Sequence, residues 1–280
     1  NGAHFLDRHS GREMHVKARA VVLAAGCLET TRLLLNSNIC NSSGVMGHYL
    51  VDQMYGVSVV ASVPEARGGK APANLMGGSA IMPRFRNLNK KDKRDFIKGY
   101  CLNISSGGDA SANFFPLYGE ELQQKLDSYA GSCVSAGIFG ERVARYENHV
   151  RIDKDVKDAW GIPVLHIEAR DSQNETNLRR DAANTAEELF HEAGWEIICK
   201  TDQVNPPGYS IHEVGTCRMG DDPKTSVLNK WCQSHDMKNL VVVDGASFVT
   251  CGWQNPTMTI LALSMRASEH LGEEMRQGNV

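Results

Sequence analysis

Residues 239–263 read NLVVVDGASFVTCGWQNPTMTILAL, and the choice of fold turns on them. Leu240 to Val243 form an unbroken apolar run that closes on Asp244, Gly245 and Ala246. That is the pattern of a short strand buried on both faces of a parallel sheet. After a mixed stretch, Asn255-Pro256-Thr257 opens a segment with apolar residues at Ile260, Leu261, Leu263 and Met265. A helix from Thr257 to Leu271 is predicted, with Pro256 suited to its first position and Asn255 to its N-cap.

A second run of the same kind lies near the start of the chain. Ala20 to Ala25 is apolar and closes on Gly26, and ETTRLLLN (29–36) then predicts a helix with Leu28, Leu33 and Leu34 on its apolar face. Such a strand, Gly turn and helix can present backbone N–H groups to a nucleotide at the strand's carboxyl end. On this stretch alone an ordinary β–α turn is the simpler account. Before it, HFLDRHSGREMHVKA (4–18) predicts a hairpin turning at His9-Ser10-Gly11-Arg12. The chain opens inside this hairpin without a Met and reads as a piece of something longer.

The two apolar runs, expected in one sheet, bracket a middle region of different character. Short β-like runs lie at 55–63, 97–104, 133–139, 148–152 and 163–168, the last two flanking DKDVKDAWG as an antiparallel pair. Residues 64–80, rich in Gly, Ala and Pro, predict a loop. Helix signals cover Glu120–Tyr129 and Asn174–Ala193, where Gly194 is a stop. This mixture predicts an antiparallel sheet with helices, forming a layer over the substrate. Pro206-Pro207-Gly208 marks the expected way back. The expected division is therefore 1–36, 37–205 and 206–280.

Composition excludes several classes. A chain of 280 residues with 41% hydrophobic and 22% charged residues can bury a core, and its net charge of -3 points to no polyanionic partner. Lys and Arg form no patch interleaved with aromatics, which argues against a nucleic-acid surface. The run Lys90–Arg94 is broken by Asp92 and reads as a solvated loop. The eight cysteines make no C-x-x-C and no zinc-like spacing with His, so buried free thiols and no metal are expected. No apolar run is long enough to span a bilayer. The residues do not indicate a compartment.

The chemistry gathers around two residues. His212 opens HEVGTCRMGDD (212–222), just before a Gly-bounded turn, and Asn255 heads the predicted last helix. Alone, a histidine is more often structural and Asn-Pro is more often a turn or helix start. Together, a base, a neutral amide and a helix N-terminus suit oxidation of an alcohol. The base takes the O–H proton, the amide orients the oxygen, and the helix dipole favours charge building on a reduced cofactor. Trp253 and Gln254 are candidate sugar contacts, a ring to stack on a pyranose and an amide for its hydroxyls, with core packing of Trp253 as the competing account. Among neighbours, Asp52 reads as a turn or capping aspartate, His48 as a surface residue and Glu213 as a solvated one that could tune the base. Arg218 is expected under the site, pairing with Asp221 or Asp222.

Five segments resemble the carboxy-terminal half of the glucose–methanol–choline (GMC) flavoprotein oxidoreductases. They are RAVVLAAGCLETTRLLLNS (19–37), SGVMGHYLVDQ (43–53), NHVRIDKDVKDAWGIPVLHIE (148–168), HEVGTCRMGDD (212–222) and the 239–263 stretch. The pairing of HxxGTxRMG with NPT is most similar to the pyranose oxidase and sugar dehydrogenase branch. The resemblance implies an α/β plus α+β fold, part of a Rossmann-like FAD-binding domain (1–36 and 206–280) with an inserted antiparallel-sheet substrate domain (37–205). It implies FAD as cofactor, His212 as catalytic base and Asn255 as its partner. Ala25, Gly26, Asp244 and Gly245 would line the flavin nucleotide, and Thr257 would lie near the ring. The family's GxGxxG turn is missing from this sequence, so an amino-terminal half or a partner chain is expected to supply it. Expected partners are a sugar or similar alcohol and an electron acceptor that the residues do not identify. The alternative is a non-catalytic carbohydrate-binding or assembly subunit.

Overall fold

The computed structural model describes residues 2–69, 78–89, 91–203 and 205–280. Residues 70–77 of the expected 64–80 loop, and Lys90 of the basic run, lie outside the described residues. The chain begins with β1 (Gly2–Leu6), β2 (Glu13–Lys17), β3 (Val21–Leu23) and α1 (Cys27–Ser37). There come next β4 (Gln53–Met54), β5 (Ser58–Ser62), β6 (Ser79–Met82), β7 (Tyr100–Gly108) and α2 (Gly119–Tyr129). Beyond them lie β8 (Cys133–Glu141), β9 (His149–Lys157), β10 (Pro163–Glu168) and α3 (Gln173–Glu192). The last elements are β11 (Glu196–Thr201), β12 (Leu240–Val242) and α4 (Thr257–Gln277). This is a mixed α/β chain whose sheets are mostly antiparallel.

The chain divides into two compact units, one of Asn1–Asp52, Val143–Arg170 and Ile211–Val280, the other of Gln53–Arg142 and Asp171–Ser210. The expected boundaries at 36 and 205 differ from these. Residues 37–52 and the β9–β10 hairpin, expected in the middle region, cluster with the first unit because their partners are there. Leu50 N–H bonds to Asn148 O, Gly47 N–H to Thr216 O, and Val150 N–H to Gly47 O.

In the first unit β3 and β12 pair in parallel, Val21 opposite Leu240 through Leu23 opposite Val242. The two apolar runs therefore meet as expected, although each is only three residues long as a strand. They differ in burial: β12 is enclosed, while Val22 is 49% exposed. Leu34 of α1 packs with Met46, Leu50, Val150, Leu240 and Val242. On the other side, Ala267 and Leu271 of α4 pack with Val241, Val243 and Cys232. β9 and β10 form the expected antiparallel hairpin.

In the second unit the strands run β11-β5-β8-β7-β6, with β4 also paired to β8. Every pairing is antiparallel. Alternation along the strands sends Val59, Ala61, Tyr100, Leu102, Ala136 and Ile138 to one face. There they meet Leu178, Ala182, Ala186 and Phe190 of α3, whose alanines let helix and sheet approach closely. Ser172 starts α3 with a capping box, its hydroxyl accepting from Asn174 N–H and Glu175 accepting from Ser172 N–H. β6 and β11 were not anticipated. β6 begins inside the stretch expected to be loop, and the apolar part of β11 is a short run, EIICKT, with few flanking turn signals.

Arg142, 3% exposed, pairs with Asp171 at 2.6 Å within this unit and also donates to Gln53 O. Among the described residues no helix is long and apolar enough to cross a membrane. Phe190 is fully buried, so Phe190→Ala is expected to lower stability by about 3–5 kcal/mol in urea denaturation. A loss under about 1 kcal/mol would mean that α3 does not anchor the sheet.

Candidate active site

The site is built on the two turns that leave the carboxyl ends of the parallel strands. After β12, Asp244 is 7% exposed, and a carboxylate so placed needs donors. Its Oδ1 accepts from Ala246 N–H at 2.9 Å. Its Oδ2 accepts from Gly26 N–H at 3.1 Å and from the Thr30 hydroxyl. Gly26 takes φ 88, open to glycine at little cost. One buried side chain thereby ties the turn after β12 to the turn that heads α1.

The HEVGT segment is stitched onto the same turn. Gly215, Cys217 and Met219 N–H groups donate to Gly245, Ala246 and Ser247 carbonyls at 3.0, 2.9 and 3.0 Å. On its other side Val214 and Val51 exchange both backbone bonds, at 2.8 and 3.0 Å. This three-deep backbone packing leaves no room for side chains at two points. A Cβ on Gly215, at φ 94, would lie 2.4 Å from Tyr49 O, and one on Gly245 would lie 3.0 Å from Glu213 O. The side chain of Asp52, buried at 3% exposure, accepts from His212 N–H at 3.1 Å. Asp52 is thus a cap that anchors the main chain of His212.

Val214 and Cys251 pack together with Val51 in one apolar cluster, which gathers the stretches carrying His212 and Asn255. No hydrogen bond joins the two side chains: the Asn255 carboxamide is exposed and makes none among the described residues. The capping role expected for Asn255 is not what forms. Pro256 occupies the N-cap position, Ile260 N–H bonds to Pro256 O, and no side chain among the described residues caps α4. The helix also runs on past the predicted Leu271 to Gln277, ending at Gly278 in the left-handed region. Its uncapped first-turn N–H groups carry the positive end of a 21-residue helix beside the Asn255 amide.

Of the other sequence-predicted residues, Ala25, Gly26, Gln254 and Thr257 are exposed and Trp253 is half-buried. Asp244 and Gly245 are buried and engaged by the chain itself. Of all these residues, Ala25 and Gly26 stand at a turn with room for a nucleotide phosphate. The β3–α1 turn is open, no heavy atom lies within 4 Å of a Cβ built on Gly26, and the first N–H groups of α1 are free of helical partners. The Ala25 and Gly26 N–H groups are themselves taken up, by Thr30 Oγ1 at 3.2 Å and Asp244 Oδ2 at 3.1 Å, so the donors left open at this turn are those of the first turn of α1.

Several residues of the site were not found in the sequence. Thr30 bonds to Asp244, and Thr31 bonds to Thr216 at 2.7 Å and to Cys27 O at 2.9 Å. The signal was present as two adjacent hydroxyl residues at the start of a Leu-rich helix, where only buried partners would favour them. Arg218 lies over the Tyr49 ring, 4.2 Å from its centroid, instead of pairing with Asp221 or Asp222, and its buried Nε has no hydrogen-bond partner among the described residues. His48 stacks on Tyr146 at 3.8 Å and its Nδ1 lies 2.8 Å from Tyr146 O, so it is part of an aromatic stack. Burial pushes the Cys27 thiol up and the Cys217 thiol up to about 12, which keeps both protonated and unreactive. Burial also raises the Glu213 carboxyl above the ordinary range, and the charge of Asp52 adds to the shift.

Comparison with known proteins places this architecture. Residues 144–264 match the family model for GMC oxidoreductases. The chain is 30% identical to a 2-methyl-1,2-propanediol dehydrogenase of Mycolicibacterium austroafricanum, over 96% of this chain and 50% of that protein. It is also 30% identical to the fructose dehydrogenase large subunit of Gluconobacter japonicus, over 97% of this chain and 50% of that protein. A solved structure of formate oxidase from Aspergillus oryzae superposes with a TM-score of 0.69 at 14% identity, covering 99% of this chain and 58% of that one. That last likeness is one of fold alone. The chain spans about half the length of the curated relatives it matches.

Two substitutions test the site's construction. Gly215→Ala should cost about 2 kcal/mol or more in chemical denaturation, since both its φ and its approach to Tyr49 O exclude a Cβ. For Glu213, the folded state holds the proton more tightly than the unfolded chain. Stability therefore falls as pH rises from the ordinary glutamate range through the raised value. Glu213→Gln removes that slope, so it should melt higher than the parent at about pH 7, with the difference closing below about pH 4. Parallel melting curves across that range would mean the carboxyl is not buried.

Proposed function

We propose that this chain is the catalytic and substrate half of an FAD-dependent oxidoreductase acting on the CH–OH group of a sugar or similar alcohol. The observation that carries the reading is the bonding of the HEVGT segment to the turn after β12. It fixes the main chain at His212, while the Asn255 carboxamide stands at the head of α4 with no partner among the described residues. The names of the two curated relatives, a diol dehydrogenase and a fructose dehydrogenase large subunit, support a polyol or sugar as substrate.

In this reading His212 takes the hydroxyl proton of the alcohol, and Asn255 holds the alcohol oxygen through its amide. A bound flavin would supply the acceptor for the hydride. The backbone at Ala25 and Gly26, shaped by Asp244 and Gly245, would hold the nucleotide of FAD, with Thr257 near the ring. The uncapped N-terminus of α4 would favour negative charge close to Asn255. Trp253 and Gln254 would contact the substrate. The first compact unit would be the FAD side, completed in Rossmann-like form by an amino-terminal half or partner chain, and the second the substrate domain. The electron acceptor is a separate question.

His212→Ala in the flavin-loaded protein should lower kcat by about 10²–10⁴-fold and leave flavin absorbance per protein unchanged. Asn255→Ala should lower it less, with a larger share of the effect in KM. Unchanged turnover in His212→Ala would remove the imidazole from the mechanism. A colourless protein that binds sugar without oxidising it would favour the alternative, a carbohydrate-binding or assembly subunit.

A further inference from the structure

Two carboxyl groups stand beside the main chain of His212, and they come from distant parts of the sequence. Val51 and Val214 exchange both backbone hydrogen bonds in an antiparallel bridge. That pairing sets the next residue of each segment, Asp52 and Glu213, level with one another and on the face opposite the two valines. A pair that follows a bonded one shares no backbone bonds, which is the arrangement that brings side chains closest. Asp52 is 3% exposed and Glu213 is half-buried. Oδ1 of Asp52 accepts from His212 N–H at 3.1 Å.

Two like charges so placed repel, and their surroundings give them different roles. Burial is the main cause that raises the Glu213 carboxyl, and the charge of Asp52 adds to it, against the Glu213 N–H and His212. The titratable groups that face Glu213 are therefore Asp52, His212 and the buried Cys27 thiol at the head of α1. As pH falls, Glu213 takes up its proton above the ordinary glutamate range, and Asp52 remains as the negative charge next to the histidine.

We infer that Asp52 is a positioning residue for the proposed oxidation, holding the His212 main chain and presenting the negative charge that steadies the imidazole once it has taken the alcohol proton. The inference rests on His212 acting as the base. A negative charge raises the proton affinity of a nearby imidazole and so strengthens it as a base. Two such charges would keep the ring protonated and idle over more of the neutral range. A proton on Glu213 removes one of them. Asp52 takes no proton itself: the proton passes from the alcohol oxygen to His212.

NMR titration of the His212 ring in the native protein tests this, with its signal assigned by its absence from His212→Ala. Asp52→Asn keeps an oxygen that can accept from His212 N–H and removes the charge. The ring should then titrate about one pH unit lower, the effect of losing one neighbouring opposite charge. Glu213→Gln should move it less. In the flavin-loaded protein the acid limb of kcat/KM should shift with the NMR value, and kcat should fall about tenfold. Asp52→Ala, which also removes the acceptor, should lower kcat about tenfold further. Asp52→Asn matches the native side chain in size and is read even if Asp52→Ala does not fold. An Asp52 with a structural role alone would lower the melting temperature and leave the titration in place. An unmoved titration in Asp52→Asn, or a larger shift in Glu213→Gln, would overturn the inference. If His212→Ala is inactive while Asp52→Asn titrates as the parent does, this inference fails and the proposed base stands. Full turnover in His212→Ala removes the base and, with it, any positioning role for Asp52.

Discussion

The buried carboxylate of Asp244 is the constraint on which the first unit depends. Left without partners it would cost more than most single contacts in the fold return. It is satisfied by donors from both ends of the chain: Ala246 just beyond it, and Gly26 and Thr30 at the head of α1. Those bonds hold the ends of β3 and β12 together where three residues of pairing on each side would be a weak clasp. Once that junction is set, the carbonyls of residues 245–247 are aligned to receive the 215–219 segment, and Val51 closes over Val214. The position of His212 is thus a consequence of backbone bonding several layers deep.

Glycine stands at several of the points in this unit where two backbones come close. Gly215 against Tyr49 and Gly245 against Glu213 are packing requirements, and at Gly215 the positive φ adds a second reason. The spacing in HEVGT and VVDGA therefore comes from steric need as much as from chemistry. The Asn255 carboxamide, without a hydrogen-bond partner among the described residues, lies at the start of α4, where backbone N–H groups also lack helical partners.

The second unit obeys a different rule. Its sheet is two-sided, with one face closed by the alanine-lined helix α3 and the other lined with small neutral polar residues and aromatic rings. Here the part of that face lining a cavity is uncharged among the described residues, and the Ser58, Ser105 and Ser135 hydroxyls and the Asn103 carboxamide make no hydrogen bond among them. The α3 side supplies the buried core of this unit.

Local pattern alone was enough for the elements whose period or punctuation is strong. The helix signals at 120–129 and 174–193, the DKDVKDAWG hairpin and the pairing of two apolar runs all express interactions between near neighbours or a composition imposed by burial. The sequence also determined the set of chemically capable residues, because an imidazole before a Gly-Thr turn and an amide before Pro-Thr are fixed by covalent order. Tertiary structure decided the rest. It gave residues 37–52 and 143–170 to the first unit, and it left Asn255 outside the helix cap while Asp52 took the role of anchor. It also turned Thr30 and Thr31 inward toward Asp244 and Thr216. Each of those outcomes depends on a partner far away in the chain, and long-range hydrogen bonds of buried groups leave no periodic trace in the residues that make them.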